Sequence, residues 1–261
     1  MHTPSFIENS SGKGIIIFIH GFMGSPRQFD KLASCAYNAG FSTASVLLPG
    51  HGAATKEFSS STMDDWLGHV YAETERFLGY EKIYLAGHSM GCLLAINSAV
   101  RYREHIAGLF LNACPLRLKI YSAQSFAVKF KQIFYSKSHP MKAAYLTGNS
   151  VKLHPNIIWR SSKPAKELKK LMQITENKLS DVRVPVTAVY SASDELVSVD
   201  SLDILKAGLV QTSIESLVLA DSLHAYYPDY EQAMLEKCLL AALRPLFPQG
   251  AASGAPTRDY L

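Results

Sequence analysis

Five residues, Gly87-His88-Ser89-Met90-Gly91, restrict the fold of this 261-residue chain more than any other stretch. The apolar run Ile83-Tyr84-Leu85-Ala86 leads into them and a helix-like run, residues 92–99, leads out. A strand that turns sharply into a helix holds the serine at its apex in a strained conformation. Side chains at the two flanking positions would collide with neighbouring backbone, so both are glycine. G-x-S-x-G between strand and helix therefore predicts a hydroxyl displayed above a sheet edge, at the positive end of a helix.

The rest of the chain has a rhythm that suits such a turn. Strand patterns fall at 15–19, 42–48, 82–86 and 106–112, and helix patterns at 26–38 and 63–78. Pro26 marks one helix start and Gly40 lies just past its end; Thr62, with Asp65 three residues on, caps the other. After Leu116 the alternation stops until about Ser180. It resumes with strands at 185–191 and 214–219 and helices at 199–209 and 230–243. Alternation of this kind predicts a mostly parallel sheet with helices on both faces, joined by right-handed crossovers. The length accommodates one such domain carrying an insertion, or two small domains. The expected division is a core at 1–115 and 182–247, a helical lid at 116–181 and an unstructured tail at 248–261.

The interrupting segment differs in charge as well as pattern. Residues 116–171 hold 12 Lys and Arg against Glu167, a balance of +11, while the remainder of the chain is −7. Within it Phe126, Phe130, Ile133 and Phe134 recur at helical spacing. That stripe packs a lid helix onto the main domain, or else lines an apolar pocket. The basic charge suits an anionic membrane surface, an anionic substrate such as an acyl thioester of a phosphorylated carrier, or simple solvation.

No apolar run is long enough to span a membrane, and residues 1–12 lack the basic and apolar regions of a secretory signal. The four cysteines, Cys35, Cys92, Cys114 and Cys238, match no zinc or disulfide spacing and read as small buried hydrophobes. A reducing, cytoplasmic location is the expectation.

A serine hydroxyl needs a base, and the base needs an orienting carboxylate. After an elbow serine the chain order is acid, then histidine. Asp194 follows the strand at 185–191 by a few residues and is the acid, with adjacent Glu195 as its rival; Asp200 reads as a helix N-terminal charge. His224 follows the last strand and is the base. Of nine histidines it alone satisfies both chain order and sheet edge. The oxyanion needs two backbone donors. Met90 N–H, directly after the serine, supplies one. The loop after the first strand, with its glycines, supplies the other from Phe22 N–H, His20 bracing the loop from beneath.

His20-Gly21-Phe22-Met23-Gly24, Leu48-Pro49-Gly50-His51-Gly52, Gly87-His88-Ser89-Met90-Gly91, Ser193-Asp194-Glu195-Leu196-Val197 and Ser222-Leu223-His224 together resemble the α/β-hydrolase superfamily. The resemblance extends over about 14–245 and is closest to small bacterial carboxylesterases and monoacylglycerol lipases. It implies a serine hydrolase acting on short or medium acyl esters or monoacylglycerols, with a lid between the strands ending near Asn112 and starting near Pro185. It implies no metal and no cofactor, and no nucleic-acid partner. Two positions depart from the family pattern, which often has glycine where this chain has Ser191 and Leu223. Acyl thioester or C–C bond hydrolysis would use the same three residues. A receptor on a hydrolase fold is the reading from another class.

Overall fold

The computed structural model describes residues 2–52, 55–119, 139–151 and 161–243. Seven strands form one sheet: β1 Ser5–Ile7, β2 Ile15–Ile19, β3 Ser42–Val46, β4 Ile83–His88, β5 Ile106–Asn112, β6 Val186–Ser191 and β7 Ile214–Leu219. Their order is β1-β3-β2-β4-β5-β6-β7, and every pair is parallel except β1 with β3. The helices are α1 Asp30–Asn38, α2 Thr55–Ser60, α3 Met63–Glu75, α4 Met90–Arg101, α5 Pro140–Gly148, α6 Ser162–Glu176, α7 Ser201–Gly208 and α8 Asp229–Ala242.

The continuous apolar run of β2 is explained by burial on both faces, which a central parallel strand requires. Side chains alternate between two cores. Ile15, Ile17, Ile19, Ile83 and Leu85 meet α3, α4, α6 and α7 through Trp66, Leu93, Leu171 and Leu205. Ile16, Phe18, Tyr84 and Ala86 meet α1 and α8 through Leu32, Ala36, Leu235 and Leu239. From Met90 to Ala99 every residue of α4 is buried. Its polar members are satisfied inside: Asn97 Nδ2 donates to Thr175 Oγ1 at 2.7 Å, and the hydroxyls of Ser98 and Thr74 lie 2.9 Å apart.

Element limits shift for identifiable reasons. Residues 26–29 form a 3-10 turn before α1. β3 stops at Val46, and the Leu48 N–H turns to His20 Nε2 at 3.1 Å. α3 carries the expected reciprocal cap between Thr62 and Asp65 but ends at Glu75, where i to i+3 bonds from Phe77 and Leu78 tighten the chain. β1 and α2 had no counterpart in the sequence pattern. The segment between β5 and β6 contributes α5 and α6; the stripe of Phe126, Phe130, Ile133 and Phe134 and the tail at 248–261 lie outside the described residues. No helix among the described residues is long and apolar enough to cross a membrane. The cysteines are free; Cys92 and Cys114 are buried, whereas Cys35 and Cys238 are half-buried rather than core.

Candidate active site

Ser89 stands between β4 and α4 with φ 53 and ψ −123. For a non-glycine residue this conformation costs about 1–3 kcal/mol and persists only where the surroundings enforce it. They do so here. The Ser89 N–H donates to Asn112 O at the end of β5 (2.9 Å), and Ser89 O accepts the Cys92 N–H at 2.9 Å as α4 begins. Both flanking glycines are dictated by space. A Cβ at Gly87 would lie 2.4 Å from Cys92 N, and one at Gly91 only 1.9 Å from Ile19 O. The second clash is with strand backbone, which has no room to yield. Gly91→Ala is accordingly expected to destabilise the fold by about 3 kcal/mol, read as a lower urea midpoint in equilibrium unfolding.

Met23 (φ 59) and Ala113 (φ 55) are the other non-glycine residues with positive φ among those described. Met23 belongs to the loop after β2, which abuts the serine: a Cβ on Gly21 would sit 3.0 Å from Ser89 Cβ. Two neutral imidazoles hold this loop. His20 donates from Nδ1 to Gly21 O (2.9 Å) and accepts the Leu48 N–H at Nε2. His51 donates from Nδ1 to Pro49 O (3.1 Å) and accepts the Met23 N–H at Nε2, also 3.1 Å. Burial pushes His20 well below the usual histidine range and His51 down to about 4. His20 thus braces the loop as expected, and His51 is a second brace that sequence reasoning missed, although it lies in a quoted motif. The Phe22 ring packs edge-on against Phe58 and Trp66, with centroids 5.1 and 6.3 Å away.

Asp194 and His224 meet. Asp194 Oδ2 accepts from His224 Nδ1 at 2.9 Å, while Oδ1 takes the Leu196 and Val197 N–H groups at 2.8 and 2.9 Å. Burial alone would raise Asp194. The attraction and hydrogen bond of His224, with those two amides, outweigh it and hold the carboxyl below its ordinary value. Burial alone would likewise lower His224, but the charge and hydrogen bond of Asp194, helped by the charge of Glu195, raise it above 6.5.

The histidine is also gripped by its main chain. Its N–H donates to Glu195 Oε2 at 2.9 Å, and its carbonyl accepts from His88 Nε2 at 2.8 Å. The His88 and His224 rings lie 4.8 Å apart, so the imidazole sits beside the residue that precedes Ser89. His88 is neutral, pushed down to about 3 by burial and then by His224. The preceding loop hangs on buried Glu231 of α8, whose carboxylate accepts from Ala220 N, Asp221 N and the Ser222 hydroxyl. Ser191 and Leu223, the two departures from the family pattern, need no glycine, since neither is among the positive-φ residues. Ser191 Oγ donates to Ser222 O at 2.6 Å and so ties the acid loop to the histidine loop. Glu195 is therefore no rival acid on the ring; it holds the backbone. Asp200 precedes α7 and accepts from Ser198 Oγ at 2.8 Å.

Cys92 is fully buried, with its thiol donating to Gly87 O and Asn112 O, and burial pushes it well above its usual range. It is no competitor for Ser89. Among the described residues no group of three or more His, Cys, Asp or Glu side chains is placed to hold a metal ion. A cleft of about 510 Å³ runs between residues 27–32, α5 and the loop at 225–229, with His88 and Asn112 on its wall. Ser89, Asp194 and His224 are not among its lining.

Comparison with known proteins finds relatives along most of the chain. A thermostable monoacylglycerol lipase from Bacillus sp. (strain H-257) is 25% identical over 237 residues, covering 89% of this chain and 90% of that protein. Among solved structures, one of the metagenome-derived lipolytic enzymes LipS and LipT superposes with a TM-score of 0.70 at 22% identity, covering 92% of this chain and 97% of the other. The monoacylglycerol lipase of Paleococcus ferrophilus does so at 0.63 and 17% identity, covering 92% and 99%. The fold is that of the α/β-hydrolases. The family described as serine aminopeptidase, S33, matches residues 10–229, and the chain belongs to that family of hydrolases.

Proposed function

We propose that the chain hydrolyses carboxylic esters, monoacylglycerols among them, through an acyl-enzyme on Ser89. The observation that carries this reading is the 2.9 Å hydrogen bond from His224 to Asp194, at the sheet edge where Ser89 is held at the elbow. As Ser89 Oγ attacks the ester carbonyl, His224 Nε2 takes its proton. Asp194 keeps the other ring nitrogen protonated and stabilises the imidazolium. The Phe22 and Met90 N–H groups bind the oxyanion. His224 then returns the proton to the leaving alcohol, and water repeats the sequence on the acyl group.

The likeness to a monoacylglycerol lipase supports an ester as the scissile bond. The family description names an aminopeptidase, so an aminoacyl amide is the competing substrate. The segment at 116–181 serves as a basic lid on a core formed by 1–115 and 182–247, and its charge favours transient contact with an anionic lipid surface or anionic substrate. The free thiols support a cytoplasmic location.

The test is turnover of a matched acyl series: p-nitrophenyl esters of increasing chain length, monoacylglycerols, an acyl thioester and an aminoacyl p-nitroanilide. Esters are expected to turn over fastest. A preference for the anilide overturns the ester reading in favour of the peptidase one. No turnover of any member, together with no labelling by a fluorophosphonate, leaves a receptor on a hydrolase fold.

A further inference from the structure

Glu195 is a buried carboxylate, 2% exposed, directly beside another buried carboxylate, Asp194. Burying a second negative charge there is costly unless strong hydrogen bonds offset it. Two do. Oε2 accepts the His224 N–H at 2.9 Å, and Oε1 accepts the Tyr145 hydroxyl. Hydrogen bonds to an ionised acceptor are roughly twice as strong as neutral ones. Tyr145 belongs to α5, in the segment between β5 and β6. The end of α5 is fastened to the other half of the site. Asn149 bridges to Gly24, the Ser150 N–H donates to Met23 O at 2.9 Å, and Ser150 Oγ donates to Gly24 O at 2.5 Å. A single short helix thus touches both the loop after β2 and the carboxylate that grips the histidine.

We propose that Glu195 is a positioning residue that fixes His224 by its main chain, and that Tyr145 makes this grip depend on the seating of α5. The idea builds on the Ser89–His224–Asp194 reading above. Asp194 sets the direction of the ring, while Glu195 and His88 set where the ring is carried. Displacing α5 withdraws the Tyr145 hydroxyl from Glu195 and strips the Gly24 and Met23 carbonyls of their donors together. α5, with the two residues that follow it, then governs the base and the loop after β2 as one unit. The groups facing His224 are Asp194 and Glu195 from the loop after β6 and His88 from β4, with Lys119 Nζ on Asp194 O at 3.2 Å and the Tyr227 hydroxyl, three residues on, accepting from Asn112 Nδ2 at 2.8 Å. Glu195 is the one whose charge can be removed without touching the ring's own partner.

Glu195→Gln, Glu195→Asp, Tyr145→Phe and the Glu195→Gln/Tyr145→Phe pair are compared by the pH dependence of kcat/KM on a p-nitrophenyl ester. Glu195→Gln is expected to lower kcat about tenfold with KM little changed, and to move the acid limb to lower pH because a charge favouring the imidazolium is gone. Glu195→Asp keeps the charge and holds the limb at its original pH. Tyr145→Phe lowers kcat severalfold, and the double variant is no worse than Glu195→Gln, as members of one chain of contacts behave. An unmoved limb in Glu195→Gln overturns the positioning role, and additive losses overturn the link to α5. Should Glu195→Gln not fold, an unchanged kcat in Tyr145→Phe overturns the proposal by itself. Fluorophosphonate labelling of Ser89 and loss of turnover in His224→Ala separate the two ideas. If both hold while Glu195→Gln behaves as wild type, only this inference falls; if both fail, the reading beneath it falls.

Discussion

Ser89→Ala lowers kcat for a p-nitrophenyl ester by about a millionfold and abolishes fluorophosphonate labelling, while the thermal midpoint stays close to that of the parent. The size of the effect follows from what the substitution removes. The Ser89 side chain makes no capping bond to α4, so alanine deletes the hydroxyl and leaves the main-chain bonds of residue 89, to Asn112 O and from Cys92 N–H, in place. Alanine is as disfavoured at φ 53 as serine, so the strain is unchanged. No neighbour can replace the nucleophile, because the nearby thiol of Cys92 is sealed in the core. A residual rate, roughly a thousandfold or more over water, comes from the oxyanion donors and substrate binding alone. Turnover within tenfold of the parent would remove Ser89 from the mechanism.

Asp194→Asn is expected to cost about ten-thousandfold in kcat with the loop intact. An asparagine oxygen can still accept from the Leu196 and Val197 amides, so the turn after β6 survives. What changes is the partner of His224 Nδ1. An amide NH2 facing that nitrogen favours the tautomer with its proton on Nε2, which cannot accept the serine proton. Glu195 does not step in, since its two oxygens are taken by the His224 N–H and Tyr145. The pH dependence adds a signed check. His224 acts as a base only when neutral, so activity falls as pH drops through its pKa, which the surroundings raise above 6.5. The acid limb of kcat/KM in the parent therefore lies above that value. Removing the Asp194 charge deletes the strongest of the effects that raise it, and the limb of the residual activity moves to lower pH. A limb that moves up, or stays, contradicts the pairing seen in the structure.

The parts of this molecule legible in its sequence are those whose physics is local. β2 announces itself because its five residues, buried on both faces of the sheet, are all apolar, whereas β3, equally buried, is mostly Ser, Thr and Ala. The elbow is legible because Gly87 and Gly91 are each forced by backbone contact a few residues or one strand away. Chain order singled out Asp194 and His224, which the fold brings within 2.9 Å. What escaped detection is non-local and main-chain in character. β1 is three exposed residues whose only reason to be a strand is the edge of β3. His51, Glu195 and Glu231 each work by receiving a backbone N–H from 28, 29 and 10 or 11 residues away. Any residue but proline supplies such a donor, so no periodicity or residue type at the far end marks the pairing. Glu195 was conspicuous only as a second carboxylate where one was needed, and that surplus was the signal of its role.

Met23, Ser89 and Ala113, the three among the described residues held at positive φ without being glycine, follow β2, β4 and β5 within a few residues. Backbone tension of this kind, among the described residues, is thus gathered at the mouth. Substitutions at these three places that ease the backbone would raise heat tolerance by dissolving the very contour that presents the hydroxyl. Durable gains must come from the interior or the outer helices, and a lineage pressed toward higher temperature would be expected to keep its mouth taut and harden everything beneath it.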